Sequence, residues 1–148
     1  MKKMFAIAAL LAVSAATSIT ASAADTMLKM PIADALAAND AQQRLGDSVK
    51  FYFADQKTPK IASRIATDKT SQRTNGFGKS SDTACKWVFL SAMLQLQKRA
   101  TELGADAVVN IVSNYKDQEF ASQTEYECAD GAIMAGVALK ADFVKLAK

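Results

Sequence analysis

The sequence predicts an α+β domain: a single, mostly antiparallel sheet of about five strands, one long helix packed on one face, and a shorter N-terminal helix. Three observations predict it. VKFYFAD, from Val49 to Asp55, alternates Val49, Phe51 and Phe53 with Lys50 and Tyr52, the period of a half-buried strand. Between Asp82 and Leu103, 100° per residue puts Cys85, Phe89, Ala92, Leu96, Ala100 and Leu103 on one face, and Ser91, Gln95, Lys98 and Glu102 on a polar stripe. The predicted order is helix, strand, strand, long helix, strand, strand, strand, which groups strands together around one long helix.

In chain order, Pro31 can open a helix in which Ile32, Ala35 and Leu36 share a face, with a break near Asn39-Asp40 and a stop at Gly46-Asp47. The strand at 49–55 follows, then a turn at Thr58-Pro59 and a weaker strand from Lys60 to Thr67. Asp68 to Asn75 is polar and reads as a lead-in to TNGFGKSSD, Thr74 to Asp82. The long helix is capped by Ser81 or Asp82 and ended by Gly104. AVVNIVS, Ala107 to Ser113, is a buried strand by its β-branched run, Asn114 to Ala121 a loop, and Ser122 to Cys128 a strand whose polar alternation reads as an edge or one-sided position. Asp130-Gly131 signals a reversal. The last strand, from Ala132 to about Val144, turns Ile133, Ala135, Val137 and Leu139 inward, and Gly136 within it predicts close approach of the helix. Because the long helix joins the second and third predicted strands, those two are expected to run parallel through a right-handed crossover.

The first residues, MKKMFAIAALLAVSAATSITASAAD, set Lys2 and Lys3 before an apolar run that ends in Ala21-Ser22-Ala23. That pattern predicts a signal peptide over 1–23, cleaved before Ala24, and hence a soluble periplasmic or secreted protein with one domain over 24–148, helical over 24–47. No Cys follows the apolar run, so no lipid anchor is expected. Without Lys2 and Lys3 the charge balance is 18 − 2 = 16 basic against 15 acidic side chains. A near-neutral chain with singly scattered lysines and arginines excludes the clustered basic surface of a nucleic-acid binder.

Cys85 and Cys128 are the two cysteines, and there is no histidine. An even pair in an oxidising compartment predicts a disulfide, which would close a loop long enough to stabilise the fold by about 4 kcal/mol. The alternative is a reactive Cys85 thiol near a helix N-terminus. The absence of histidine removes Ser-His and Cys-His catalysis.

Gly78-Lys79-Ser80 matches the end of a phosphate-binding loop, but the first glycine of G-x-x-x-x-G-K-[ST] is replaced by Arg73. A bulky side chain there obstructs the backbone approach that such a loop needs. Nucleotide hydrolysis is therefore not expected; Gly76, Gly78, Lys79, Ser80 and Ser81 remain a candidate weak anion site at the helix N-terminus. Glu125 and Glu127, two apart on one strand face near Glu119 and Asp130, and the sulfurs of Met27 and Met30 are weak metal signals, so no metal or cofactor is expected. Trp87, Leu90 and Leu94 form a second apolar group on the long helix, turned away from its sheet-facing side. Either the N-terminal helix covers it, or it is a partner-binding surface.

At ACKWVFLSAMLQLQKRATELGADAVVNIVSNYK and SQTEYECADGAIMAGVALK the chain resembles a family of small secreted bacterial proteins of unknown function, often labelled "excinuclease ATPase subunit". The resemblance runs from Val49 to Leu139 and includes both cysteines and the N-G-F-G-K-S element. The label names a cytoplasmic ATPase activity that Arg73 and the leader both oppose. More distantly, Ala100 to Val109 with Ala132 to Leu139 is similar to the Rcs-pathway outer-membrane stress-sensor lipoprotein and to YbjQ-like proteins, which implies the same α+β layout. That sensor's lipidated cysteine and two disulfides have no counterpart here. The expectation from residues and resemblance together is a non-enzymatic envelope domain acting through protein contacts, the alternative being a small-ligand, anion or metal-ion binder.

Overall fold

A computed structural model describes residues 25–148; the expected signal peptide and its cleavage point before Ala24 lie outside the described residues. The chain forms strand β1 (Thr26–Pro31), short helices α1 (Ile32–Leu36) and α2 (Ala41–Leu45), strands β2 (Lys50–Phe53) and β3 (Ile61–Asn75), and the long helix α3 (Ser81–Leu103). Strands β4 (Ala107–Ser113), β5 (Glu125–Asp130) and β6 (Met134–Leu146) complete it.

The spine of the sheet is β6. Along one edge it pairs with β3 from Ile61↔Leu146 to Asn75↔Met134. Its other edge is shared by β5, at Ala129↔Gly136 and Asp130↔Ala135, and by β4, between Ala107↔Val144 and Ser113↔Leu139. β1 adds to β5 antiparallel, and β2 adds to β4 in parallel. The sheet is thus mixed and six-stranded, where about five mostly antiparallel strands are expected from sequence. β3 and β4 do run in one direction, since each is antiparallel to β6. They are not neighbours, because β6 lies between them.

Several expectations are corrected. The segment expected to be helical from residue 24 begins as a strand: Leu28 and Met30 pack on the core while Lys29 points away over the Phe120 ring at 4.4 Å. Pro31 has φ −65° and closes β1 opposite Glu125 before α1 begins, since proline suits a strand end and a helix start alike. The helix then breaks where Asn39 and Asp40 both take positive φ (55° and 56°). Asp68 to Asn75 is not a lead-in loop but the second half of β3, whose residues alternate between half-buried and exposed. Ile133, expected inward, lies in the turn that Gly131 N closes on the Met134 carbonyl, and is exposed. β5 starts at Glu125 and runs to Asp130, because Ser122 Oγ accepts from the amides of Thr124 and Glu125 and so forms a turn there.

α3 is about 35 Å long at 1.5 Å per residue, and its cap lies one residue before the first of the two expected positions, Ser81 and Asp82. Ser80 caps it, its Oγ accepting from Thr83 N at 3.1 Å, and Gly104 ends it at φ 67°, a left-handed geometry that glycine adopts without strain. Cys85, Phe89, Ala92, Leu96 and Ala100 are buried against the sheet residues Ala135, Val137, Leu139, Ala141 and Phe143. Phe89 stacks on Tyr126 at 4.2 Å between ring centroids and on Phe53 at 6.2 Å. The Cys85–Cys128 disulfide (S–S 2.07 Å, Cα–Cα 5.9 Å) joins the first turns of α3 to β5. Gly136 does not face the helix. It lies on the opposite face of β6, paired with Arg73, and a side chain added there would meet Arg73 Cγ at 3.8 Å.

Candidate functional site

The face of the sheet opposite α3 is built from the odd-numbered residues of β3 and the even-numbered residues of β6. Strand periodicity brings Thr67, Lys69, Ser71 and Arg73 beside Asp142, Lys140, Ala138 and Gly136. Small side chains at 136 and 138 keep the floor low. The wall is the chain after β4: Ser113 bridges Phe120, and between them Tyr115 to Gln118 reverses direction, Gln118 N donating to Tyr115 O at 3.1 Å. Lys116 and Asp117, at the centre of this turn, have φ 51° and 60°. Two successive left-handed residues define a type I′ turn, which favours Asn-Gly; Lys-Asp holds it at a cost of about 1–2 kcal/mol per residue.

The result is a groove of three adjoining sections. The central one, about 420 Å³, is lined by Lys69, Ser71, Arg73, Tyr115, Lys116 and Ala138 among others. One end, about 370 Å³, adds Thr67, Glu119 and Lys140; the other, about 180 Å³, adds Asp25, Ala129 and Met134. Charges inside it are mostly matched. Lys69 Nζ donates to Asp117 Oδ1 at 2.6 Å, Lys140 Nζ to Glu119 Oε1 at 2.7 Å, and Tyr115 Oη to Asp25 Oδ2 at 2.6 Å. At the rim Arg64 pairs with the buried Asp142, which also accepts from Thr67 Oγ1 at 2.6 Å.

These bonds determine how the groups titrate. Lys69 holds the Asp117 carboxyl below its ordinary range, Glu119 raises Lys140, and the bond to Asp25, with some desolvation, raises the Tyr115 phenol. Outside the groove the pattern repeats. Gln123 lowers Asp55, the Leu146 amide lowers Asp106, Asp82 raises Lys86, and Asp68 raises Arg99. Every resolved shift therefore deepens the charge state the group already has at neutral pH, whereas a general acid or base needs a pKa moved toward the working pH.

The sequence-derived candidates fall elsewhere. The strand-loop-helix context of Gly76, Gly78, Lys79, Ser80 and Ser81 exists, but several of the loop's amides and both serine hydroxyls are engaged. Gly76 N donates to Ile133 O (2.7 Å), Phe77 N to Asn75 Oδ1 (2.8 Å) and Lys79 N to Gly76 O (3.1 Å), while Ser80 caps the helix. Ser81 Oγ donates to Asp130 Oδ2 at 2.5 Å, so a carboxylate already stands at the proposed anion site and would repel a second anion. The geometry speaks against that candidate.

Of the proposed partner stripe, Leu90 is 1% exposed, Leu94 packs partly on the core, and Trp87 is 40% exposed. α1 and α2 lie against α3, and Gln97 Nε2 bonds the Leu45 carbonyl at the end of α2. The stripe is therefore not an open surface. Met27 and Met30 are an odd number apart on β1 and lie on opposite faces, Met27 exposed and Met30 against the core. Glu125 and Glu127 share a face, opposite Pro31 and Lys29 of β1. Among the described residues no three His, Cys, Asp or Glu side chains converge as a metal site would require, and no helix is long and apolar enough to cross a membrane.

The groove itself is not among the sequence-derived sites. The period-two run Thr67, Lys69, Ser71, Arg73 is the signal that points to one of its walls. The other wall carries no spacing motif. No protein-family model matches the chain, and no curated protein matches it.

Proposed function

We propose that this is a non-enzymatic domain of the bacterial envelope or of secreted proteins, which acts by binding, with the groove opposite α3 as its contact face. The carrying observation is electrostatic: Asp117, Lys140 and Tyr115 of the groove are bonded so as to keep the charge states they ordinarily have at neutral pH. Fixed charges recognise; they do not transfer protons at neutral pH. Membership of the family of small secreted proteins belongs to the same proposal. It is supported by the leader-like sequence of residues 1–23 and by the joining of Cys85 to Cys128, a pairing suited to an oxidising compartment.

A protein of the envelope is the partner we favour, since the groove is open along its length and rimmed by charge. Photocrosslinking in periplasm tests it. A crosslinker at Ser71, on the groove floor, is expected to capture a discrete protein, and one at Lys98, on the polar stripe of α3, is not. Capture from both positions alike, or from neither, would remove the groove as a protein contact face. A second reading, a small anionic ligand, is favoured by one observation in particular: the guanidinium of Arg73.

A further inference from the structure

We infer that the central section of the groove binds the oxyanion of a small ligand, a carboxylate or phosphate, with Arg73 as the principal contact and Lys116 and Lys69 beside it. The inference rests on the groove being a binding face and not on its having a protein partner.

The first support is a charge inventory. Lys69, Lys140 and Arg64 each have a carboxylate partner. Arg73 has no hydrogen-bond or ion-pair partner among the described residues, and Lys116 has none beyond the face of the Tyr115 ring, 5.4 Å from its centroid. Both line the same section of about 420 Å³. Its only carboxylate, Asp117, is engaged by Lys69, and Asp25, which lines the adjoining section with Arg73, accepts from the Tyr115 hydroxyl, so Arg73 and Lys116 share one depression without an ion-pair partner. Two cations lining one depression repel, and an anion placed between them relieves that repulsion.

The second support is how the two cations are held. Arg73 lies beside Gly136 in the strand register, and its stem runs close over the sheet there: a Cβ at 136 would sit in ordinary contact with Arg73 Cγ at 3.8 Å. Lys116 is held at the centre of the strained turn, at φ 51°, and unfavourable backbone of this kind persists where surrounding structure fixes it. Tyr115 lines both sections that Arg73 lines. Its hydroxyl is engaged by Asp25, so its ring remains as a flat side to the depression. A guanidinium presents paired N–H donors that match the two oxygens of a carboxylate or phosphate. Ser71 and Asn114 add neutral polar groups to the same lining.

The test is a titration of the purified protein at low ionic strength and constant pH, followed by amide NMR, with inorganic phosphate in one arm and citrate in the other. Saturable shifts at Ser71, Arg73, Tyr115 and Lys116 are expected, and the arm with the tighter saturation tells phosphate from carboxylate chemistry. Arg73→Gln, at an exposed position, should weaken binding about tenfold, the loss of one charge-assisted hydrogen bond, with the rest of the spectrum unchanged. Lys79→Ala, in the glycine loop, should leave binding as it was. No saturation in either arm, binding indifferent to Arg73→Gln, or shifts centred on Lys79 to Asp82 would overturn the inference. Protein capture from Ser71 without anion binding would remove this inference alone; anion binding without capture would remove only the protein partner.

Discussion

Tyr126 offers the sharpest test of the fold. Its side chain is 1% exposed and stacked on Phe89 at 4.2 Å, and its hydroxyl finds no hydrogen-bond partner among the described residues. An unpaired buried hydroxyl costs about 1–3 kcal/mol in lost hydration. Tyr126→Phe removes that oxygen and keeps the ring, so the variant should be more stable by about 1–2 kcal/mol, raising Tm by about 4 °C per kcal/mol. The pH dependence gives an independent check. Burial above all, and the charges of Asp82 and Asp34 after it, push the Tyr126 phenol well above its ordinary value. Once pH exceeds about 10, the unfolded chain gives up a phenolic proton that the folded chain keeps. The folded state then binds more protons, so stability present below pH 10 falls as pH rises, by about 1.4 kcal/mol per unit for this group. Urea unfolding of the two proteins at pH 7 and pH 11 measures both effects, and the advantage of Tyr126→Phe should widen at the higher pH. A variant less stable at pH 7, or one whose alkaline loss equals that of the parent, would refute the reasoning.

Leu90→Ala should cost about 2–5 kcal/mol in the same unfolding measurement, as truncation in a packed core does. A loss under about 0.5 kcal/mol would place Leu90 on a free surface after all. Replacing Cys85 and Cys128 together by alanine opens a link across 43 residues and should lower stability by about 4 kcal/mol on the chain-entropy account. Reducing the parent protein should reproduce that loss, and a reduced protein as stable as the oxidised one would sink the assignment of the bridge as structural.

What was legible in the sequence was whatever a short window decides. The faces of α3 follow from a period of 3.6 over 23 residues, and the Gly104 stop follows from its own backbone freedom. β1 was illegible for the opposite reason. Its pairing runs from Thr26↔Asp130 to Pro31↔Glu125, about a hundred residues away, while the nearby Pro31, Ile32, Ala35 and Leu36 offered a helical period that α1 takes up only afterwards. The groove was harder still. Tyr115 meets Asp25 across 90 residues, and Lys69 meets Asp117 across 48. No local pattern encodes such meetings, because they depend on β3 and the loop after β4 converging on opposite sides of β6.

Arg73 shows how one boundary governs both readings of this chain. Taken as a loop residue it is a defect, the bulky side chain where a phosphate loop needs its first glycine. The register Arg73↔Gly136 places it in a strand instead, with β3 continuing to Asn75. A strand that long points its odd-numbered side chains away from α3, so Arg73 cannot belong to the GFGKSS turn at all. The missing glycine and the unpaired guanidinium are then one fact. The anion-binding potential that the sequence suggested for Gly76 and Gly78 to Ser81 moves to the other face of the sheet, where Arg73 and Lys116 have no ion-pair partner among the described residues. At the helix N-terminus, Asp130 already supplies the negative charge.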